Sequence, residues 1–130
     1  MKKFLITTCV ILMVSTVANA CGGITVKGNS GTSYCLSKHK MNWYSAYAWC
    51  NDQKMSLIDL ETVCKSSKSC PELNLSSEEK THITDNGGSV NRVWTNISHS
   101  SYDAFYVDLR SGYIGAGVYR YDVSYYALCF

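Results

Sequence analysis

Tyrosine, arginine and cysteine are the residues whose number and spacing could do chemistry in this chain. Seven of the ten tyrosines fall between Tyr102 and Tyr126, interleaved with Arg110. Tyrosine and arginine offer large contact area at low entropic cost, so this clustering points to recognition rather than reaction. The competing reading is a packed interior, because a central hairpin can be covered on both faces, and Gly115 and Gly117 between the tyrosines suit close packing. The other polar residues form no reactive constellation. His39, His82 and His99 share no metal-ligand spacing, and Glu78 with His82 is an ordinary i, i+4 surface pair. Asp85-Asn86-Gly87-Gly88 is a turn with one carboxylate, whereas calcium takes roughly six to eight oxygens. No serine carries a nucleophile motif, and the cysteines have structural work to do. The sequence is therefore read as a non-enzyme with no catalytic residue, no metal site and no cofactor. Asn74-Leu75-Ser76 and Asn96-Ile97-Ser98 fit the glycosylation acceptor pattern, read as chance because the leader described next looks bacterial.

Lys2 and Lys3, the apolar run Phe4 to Val17 and the small residues of Ala18-Asn19-Ala20 make residues 1–20 a signal peptide. The apolar run of about 14 residues is short for a bilayer span of about 20. Residues 21–130 remain, enough for a single domain with one core. Without Lys2 and Lys3 the 12 basic residues become 10 against 10 acids, so the mature chain has no formal net charge. That argues against nucleic-acid or anionic-membrane partners. Six cysteines follow the leader, Cys21, Cys35, Cys50, Cys64, Cys70 and Cys129. An even number behind a leader implies a disulfide framework and an exported destination, whether periplasm, medium or cell surface. Cys21 stands where a bacterial lipoprotein carries its acylated cysteine. Ala18 and Asn19 suit a lipobox poorly, however, and lipidation would leave one cysteine unpaired.

The elements that must position these residues can be read from periodicity. Ile24-Thr25-Val26 and Thr32 to Ser37 flank a Gly28-Asn29-Ser30-Gly31 turn, and that hairpin brings Cys21 toward Cys35. Asn42 is a good N-cap for a helix whose face is Trp43, Ala46, Tyr47 and Cys50. Its end is not marked by glycine. Met55 to Ile58 reads as a short buried strand, Asp59 as the cap of a helical turn to Cys64, and Cys64 with Cys70 as the ends of a small loop. Ser76 and Glu79 form a capping box for a short second helix toward Thr84. Beyond it, Arg92 to Thr95 is a strand and 96–101 a polar loop. From Ala104 the alternation sets Phe105, Val107 and Leu109 opposite Tyr106, Asp108 and Arg110. A two-residue Ser111-Gly112 turn pairs Arg110 with Tyr113, Leu109 with Ile114, Val107 with Ala116 and Phe105 with Val118. One face then collects Tyr102, Tyr106, Arg110, Tyr113, Tyr119 and Tyr121, and a last strand runs from Tyr125 to Phe130. Spacing alone leaves about 15 disulfide connectivities open.

The spacing of Cys35, Trp43, Ala46, Cys50 and Leu57, with Leu60 three later, resembles the C-type lectin-like domain superfamily. The segment VWTNISHSSYDAFYVDLRSGYIGAGVYRYDVSYYALC resembles the closing strands of bacterial surface and pilus-associated members. The resemblance implies an α+β fold in which one main helix and a short second helix pack on small antiparallel sheets. It also implies the bridges Cys21–Cys35, Cys50–Cys129 and Cys64–Cys70. The sugar-binding members use Glu-Pro-Asn or Gln-Pro-Asp and Trp-Asn-Asp triplets around calcium, and none of these occurs here. Pro71 lies outside the expected loop, and the chain from Trp94 to Cys129 is too short to hold that loop and the closing strands. The expected function is thus calcium-independent binding or adhesion to a protein or glycan through the tyrosine-rich hairpin. The alternative is a structural or tip subunit of a bacterial surface appendage. Some superfamily members do oxidative chemistry, but no residue pattern here supports it.

Overall fold

Short apolar runs punctuated by glycine build two small sheets, and one amphipathic helix joins them. A computed structural model describes residues 21–75, 92–98, 103–120 and 122–130, with residues 98 and 117–119 traced by backbone alone. In the first sheet, β1 (Ile24–Lys27) and β2 (Ser33–Leu36) are antiparallel, with Ile24 opposite Leu36 and Lys27 opposite Ser33. The turn between them closes through the Gly28 N–H on the Thr32 carbonyl at 2.9 Å, and Gly31 takes a φ of +92° that glycine adopts without a side-chain clash.

The main helix, α1 (Trp43–Asp52), starts where the Asn42 side chain accepts the Ser45 N–H at 2.9 Å. It stops without glycine. Lys54 takes a φ of +62°, and the Lys54 and Met55 N–H groups return to the Asn51 and Cys50 carbonyls, each at 3.0 Å. The buried stripe is narrower than the expected face. Ala46 and Cys50 are buried and Trp43 and Trp49 partly so, whereas Tyr47 is 44% exposed and stacks beside Trp43 at 5.5 Å. Only one side of α1 meets the rest of the domain, so a residue at the margin of that stripe keeps its ring in water.

After α1, Met55–Ile58 forms no strand of its own. It borders the chain end through a Leu57–Cys129 bridge, with Ser56 and Phe130 exchanging N–H···O bonds of 2.9 and 2.8 Å. Asp59 caps a π-turn at Leu60–Cys64, accepting from the Glu61 N–H at 3.1 Å, and a 3-10 turn follows at Pro71–Leu73. The short second helix expected from Ser76 to Thr84 lies outside the described residues.

The second sheet is antiparallel, in the order β3 (Arg92–Ser98), β4 (Asp103–Asp108) and β5 (Ile114–Tyr119). β3 runs three residues further than expected. The expected two-residue hairpin turn is also replaced. Asp108 and Tyr113 close a four-residue loop, Leu109 to Gly112, in which the Gly112 N–H reaches the Asp108 carbonyl at 2.7 Å. Ile114 therefore pairs with Val107 and Gly115 with Tyr106, and a bulge further along sets Val118 against Ala104. Tertiary bonds hold the longer loop open: the Leu109 carbonyl accepts the Leu75 N–H and the Gly112 carbonyl accepts the Cys70 N–H, both at 2.6 Å. The last strand, β6 (Leu128–Cys129), is shorter than expected and pairs with β2, with Cys35 opposite Cys129.

Three disulfides are present: Cys21–Cys35, Cys50–Cys129 and Cys64–Cys70. The larger core gathers Leu36, Ile58, Leu73, Val93, Val107 and Leu128, and the smaller surrounds the first two bridges with Ala46, Leu57 and Trp94. The described residues form an α+β domain with one main helix and two small antiparallel three-stranded sheets. Among the described residues no helix is long and apolar enough to cross a membrane.

The tip of the β1–β2 hairpin is clamped onto the turn at 71–74. Asn29 donates from its side chain to the Pro71 and Asn74 carbonyls at 2.6 and 3.0 Å. The Glu72 carboxylate accepts the Ser30 N–H at 2.7 Å, the Ser30 hydroxyl at 2.6 Å and the Tyr34 hydroxyl at 2.7 Å. Burial pushes the Glu72 carboxyl up, but the bonds from Ser30 and Tyr34 outweigh it and hold the group below its ordinary value of 4.5. A depressed folded-state pKa contributes stability above the unfolded value and loses it as pH falls through the folded one. Glu72→Gln is expected to lower unfolding stability at pH 7 by about 1 kcal/mol, the partly solvated setting keeping the effect small. Denaturant midpoints across pH should show that gap closing as pH falls below about 4.5.

Candidate functional site

The pleat of the second sheet sets which side chains share a face. Arg92 lies opposite Asp108, Trp94 opposite Tyr106, and Tyr106 opposite Gly115, two residues beyond Tyr113. These side chains therefore rise on one side. Trp94 forms the floor, fully buried, with its indole N–H on the Met41 carbonyl at 2.8 Å. Met41 and Tyr125 exchange backbone bonds of 2.8 and 3.0 Å, which lays Tyr125 over the sheet, 4.8 Å from the Trp94 ring and 5.3 Å from Tyr106.

Arg92 stands on this aromatic bed. Its guanidinium carbon is 4.6 Å from the centre of the Tyr106 ring and 5.7 Å from that of Tyr125. Nη1 donates to the Tyr125 hydroxyl at 3.0 Å, and Nε lies 4.0 Å from Asp108 Oδ2. A cation over an aromatic ring contributes about 1 kcal/mol at a partly exposed site. The Tyr125 bond, Tyr106 and Asp108 raise the Arg92 pKa despite partial burial, so the group is always cationic. Burial raises the Tyr106 phenol, so it stays neutral. Tyr113 stands at the rim, 58% exposed, with its ring 6.4 Å from Tyr106.

Of the residues expected to share a binding face, Tyr106 and Tyr113 are brought together. Tyr106 is only 9% exposed and supports rather than presents. Arg110 leaves the face because it falls in the four-residue loop rather than on a strand; it is exposed there, and its backbone N–H donates to Asp108 Oδ1 at 2.9 Å. Tyr102 and Tyr121 lie outside the described residues, as do Glu78, His82, Asp85 and His99, and Tyr119 is described by its backbone alone. Arg92 and Tyr125 complete the site, and neither stands out in the sequence. The period-2 reading that placed Tyr106 would have found Arg92 had β3 been threaded against β4. Tyr125 arrives through its pairing with Met41, which no local pattern reveals.

A second aromatic group lies at the start of α1. Trp43 packs against Tyr44 at 5.1 Å and carries the Arg120 guanidinium at 5.1 Å, while its indole N–H donates to the Thr95 carbonyl at 2.7 Å. Elsewhere, a groove of about 780 Å³ runs between the hairpin tip and the π-turn, lined in part by Tyr34, Thr62, Lys65, Glu72 and Phe130. Its acid is already engaged by Ser30 and Tyr34, and burial together with the Glu72 bond raises the Tyr34 phenol. The chemistry of that groove is consumed by the clamp, so the Arg92 face is the better candidate although it is no deep cavity. Compared with known proteins, the chain matches no protein-family model, and no curated protein matches it significantly.

The site depends on a glycine beneath it. A Cβ on Gly115 would overlap the Tyr106 phenol ring. Gly115→Ala should force that ring out from under Arg92 and cost about 1–3 kcal/mol of stability. Denaturant midpoints would measure the loss, and the Arg92 side-chain proton shifts in NMR would report the departure of the ring.

Proposed function

We propose that this chain is an exported, calcium-independent binding module of the C-type lectin-like kind, which recognises a protein or glycan through the face carrying Arg92, Tyr106, Tyr113 and Tyr125. One observation carries the reading: Arg92 lies over Tyr106 and is tied to Tyr125, yet its side chain is 43% exposed, and the open ring of Tyr113 lies 6.4 Å from the same Tyr106 ring. Side chains held before a ligand arrives bind with less entropic loss. The lectin-like part is supported by the spacing of Cys35, Trp43, Ala46, Cys50 and Leu57, and by the bridge from the helix to the terminal strand at Cys129. Export is supported by the leader at residues 1–20 and by the three bridges, which persist in oxidising compartments. Exposed Tyr44 and Tyr47 on α1 favour a second reading, a subunit of a surface appendage that uses this patch as a contact.

A glycan and protein array probed with the oxidised domain, with and without chelator, tests the first reading. Binding should survive chelation and fall at least about tenfold in Tyr113→Ala, an exposed position that leaves the fold intact. Binding that needs calcium, or that ignores Tyr113→Ala, would overturn it.

A further inference from the structure

We infer that the ligand of this face carries a carboxylate and is an acidic saccharide; the inference rests on the binding-module reading above. A guanidinium has five N–H donors. Among the described residues one of them reaches the Tyr125 hydroxyl, at 3.0 Å, and the Nε contact to Asp108 at 4.0 Å is beyond hydrogen-bond range. The remaining donors belong to a guanidinium held over the Tyr106 ring at 4.6 Å, on a side chain that is 43% exposed. A planar fork of donors matches the two oxygens of a carboxylate, which a flexible lysine ammonium does not.

The acid beside Arg92 is already engaged: Asp108 accepts the Arg110 backbone N–H through Oδ1 at 2.9 Å.

The size of the exposed platform selects the saccharide. Tyr113 offers one open ring on one side of Tyr106 and Arg92 one guanidinium over it, with ring centres of the two tyrosines 6.4 Å apart, a span on the scale of a single sugar ring that lays its apolar C–H face on the phenol while its carboxylate meets Arg92. A stable protein interface takes about 800 Å² from each partner. The other exposed large apolar side chains among the described residues, Tyr44, Tyr47 and Phe130, stand on α1 and at the end of the chain segment that follows β6.

The experiment is an NMR titration of the oxidised domain with methyl β-glucuronide, its neutral counterpart methyl β-glucoside, and the methyl glycoside of N-acetylneuraminic acid. One or both acidic sugars should shift the Arg92 Nε–H and the Tyr113 ring, with the neutral sugar at least about tenfold weaker. Arg92→Lys, which keeps the charge and loses the fork, should weaken the acidic sugar at least about fivefold. Tyr113→Ala should do the same without any question of folding. Equal binding of the neutral sugar, or indifference to Arg92→Lys, overturns the carboxylate assignment and leaves the face a binding site. A protein ligand that shifts Tyr113 where all three sugars do not overturns the saccharide and spares the module. Silence of this face toward every glycan and protein on the array would overturn both.

Discussion

Everything in this domain hangs on one strip of backbone, Tyr125 to Phe130, whose peptide groups are shared among four parts of the chain. Tyr125 pairs with Met41, and Tyr126 bonds to β3 on both sides, its N–H to the Arg92 carbonyl at 3.1 Å and its carbonyl to the Trp94 N–H at 3.0 Å. The Ala127 carbonyl takes the Ser37 N–H at 2.8 Å, Leu128 takes the Ile58 N–H at 3.0 Å, and Phe130 pairs with Ser56. Buried peptide groups must find partners, and here they find them in both sheets at once. The Cys50–Cys129 bridge adds α1 to the same strip and closes a loop of 79 residues. In the chain-entropy picture such a closure contributes about 4 kcal/mol through the unfolded state. Ser37, almost fully buried, finishes the seam: its hydroxyl accepts the Ala127 N–H at 2.9 Å and donates to the His39 carbonyl at 2.8 Å.

The candidate site is a by-product of that seam. Arg92 opens β3 where Tyr126 crosses it, and Tyr125 is delivered to the same spot by Met41. The guanidinium therefore sits where two chain segments far apart in sequence are locked side by side. Its stacking and its bond to Tyr125 are determined by backbone pairing, which is stiffer than any side-chain rotamer preference. On the proposed reading, recognition and stability would draw on the same contacts, and Tyr113, 58% exposed, is the most open ring of the group.

Features of the chain that depend on near neighbours are legible in the residues alone. The Gly28–Gly31 turn, the Asn42 cap and the Asp59 cap are local hydrogen-bonding events, and each stands where its residues put it. The even cysteine count announces the bridges for a similar reason, since oxidised thiols leave a compositional trace. What periodicity misses is decided at a distance. Ser111-Gly112 has the chemistry of a tight hairpin turn, yet Leu75 and Cys70 bind the carbonyls on either side and pull a four-residue loop out of the hairpin. That moves Arg110 off the strand and leaves Arg92, which local pattern marks only as the first residue of a strand, to supply the cation. Tyr47 obeys the helical period and still faces water, because periodicity describes a stripe and not how wide the partner beneath it is.

Native-state hydrogen exchange on the oxidised domain tests the central claim, that the terminal strip is the element on which both sheets depend. The N–H groups of Ile58, Trp94, Tyr126 and Phe130, each bonded along or across the strip, should exchange together in the slowest class, through global unfolding alone. The Gly28–Thr32 turn and the Leu109–Gly112 loop should open earlier. Exchange of the strip amides by a local opening, at a free energy below that of the β4–β5 amides, would contradict the account.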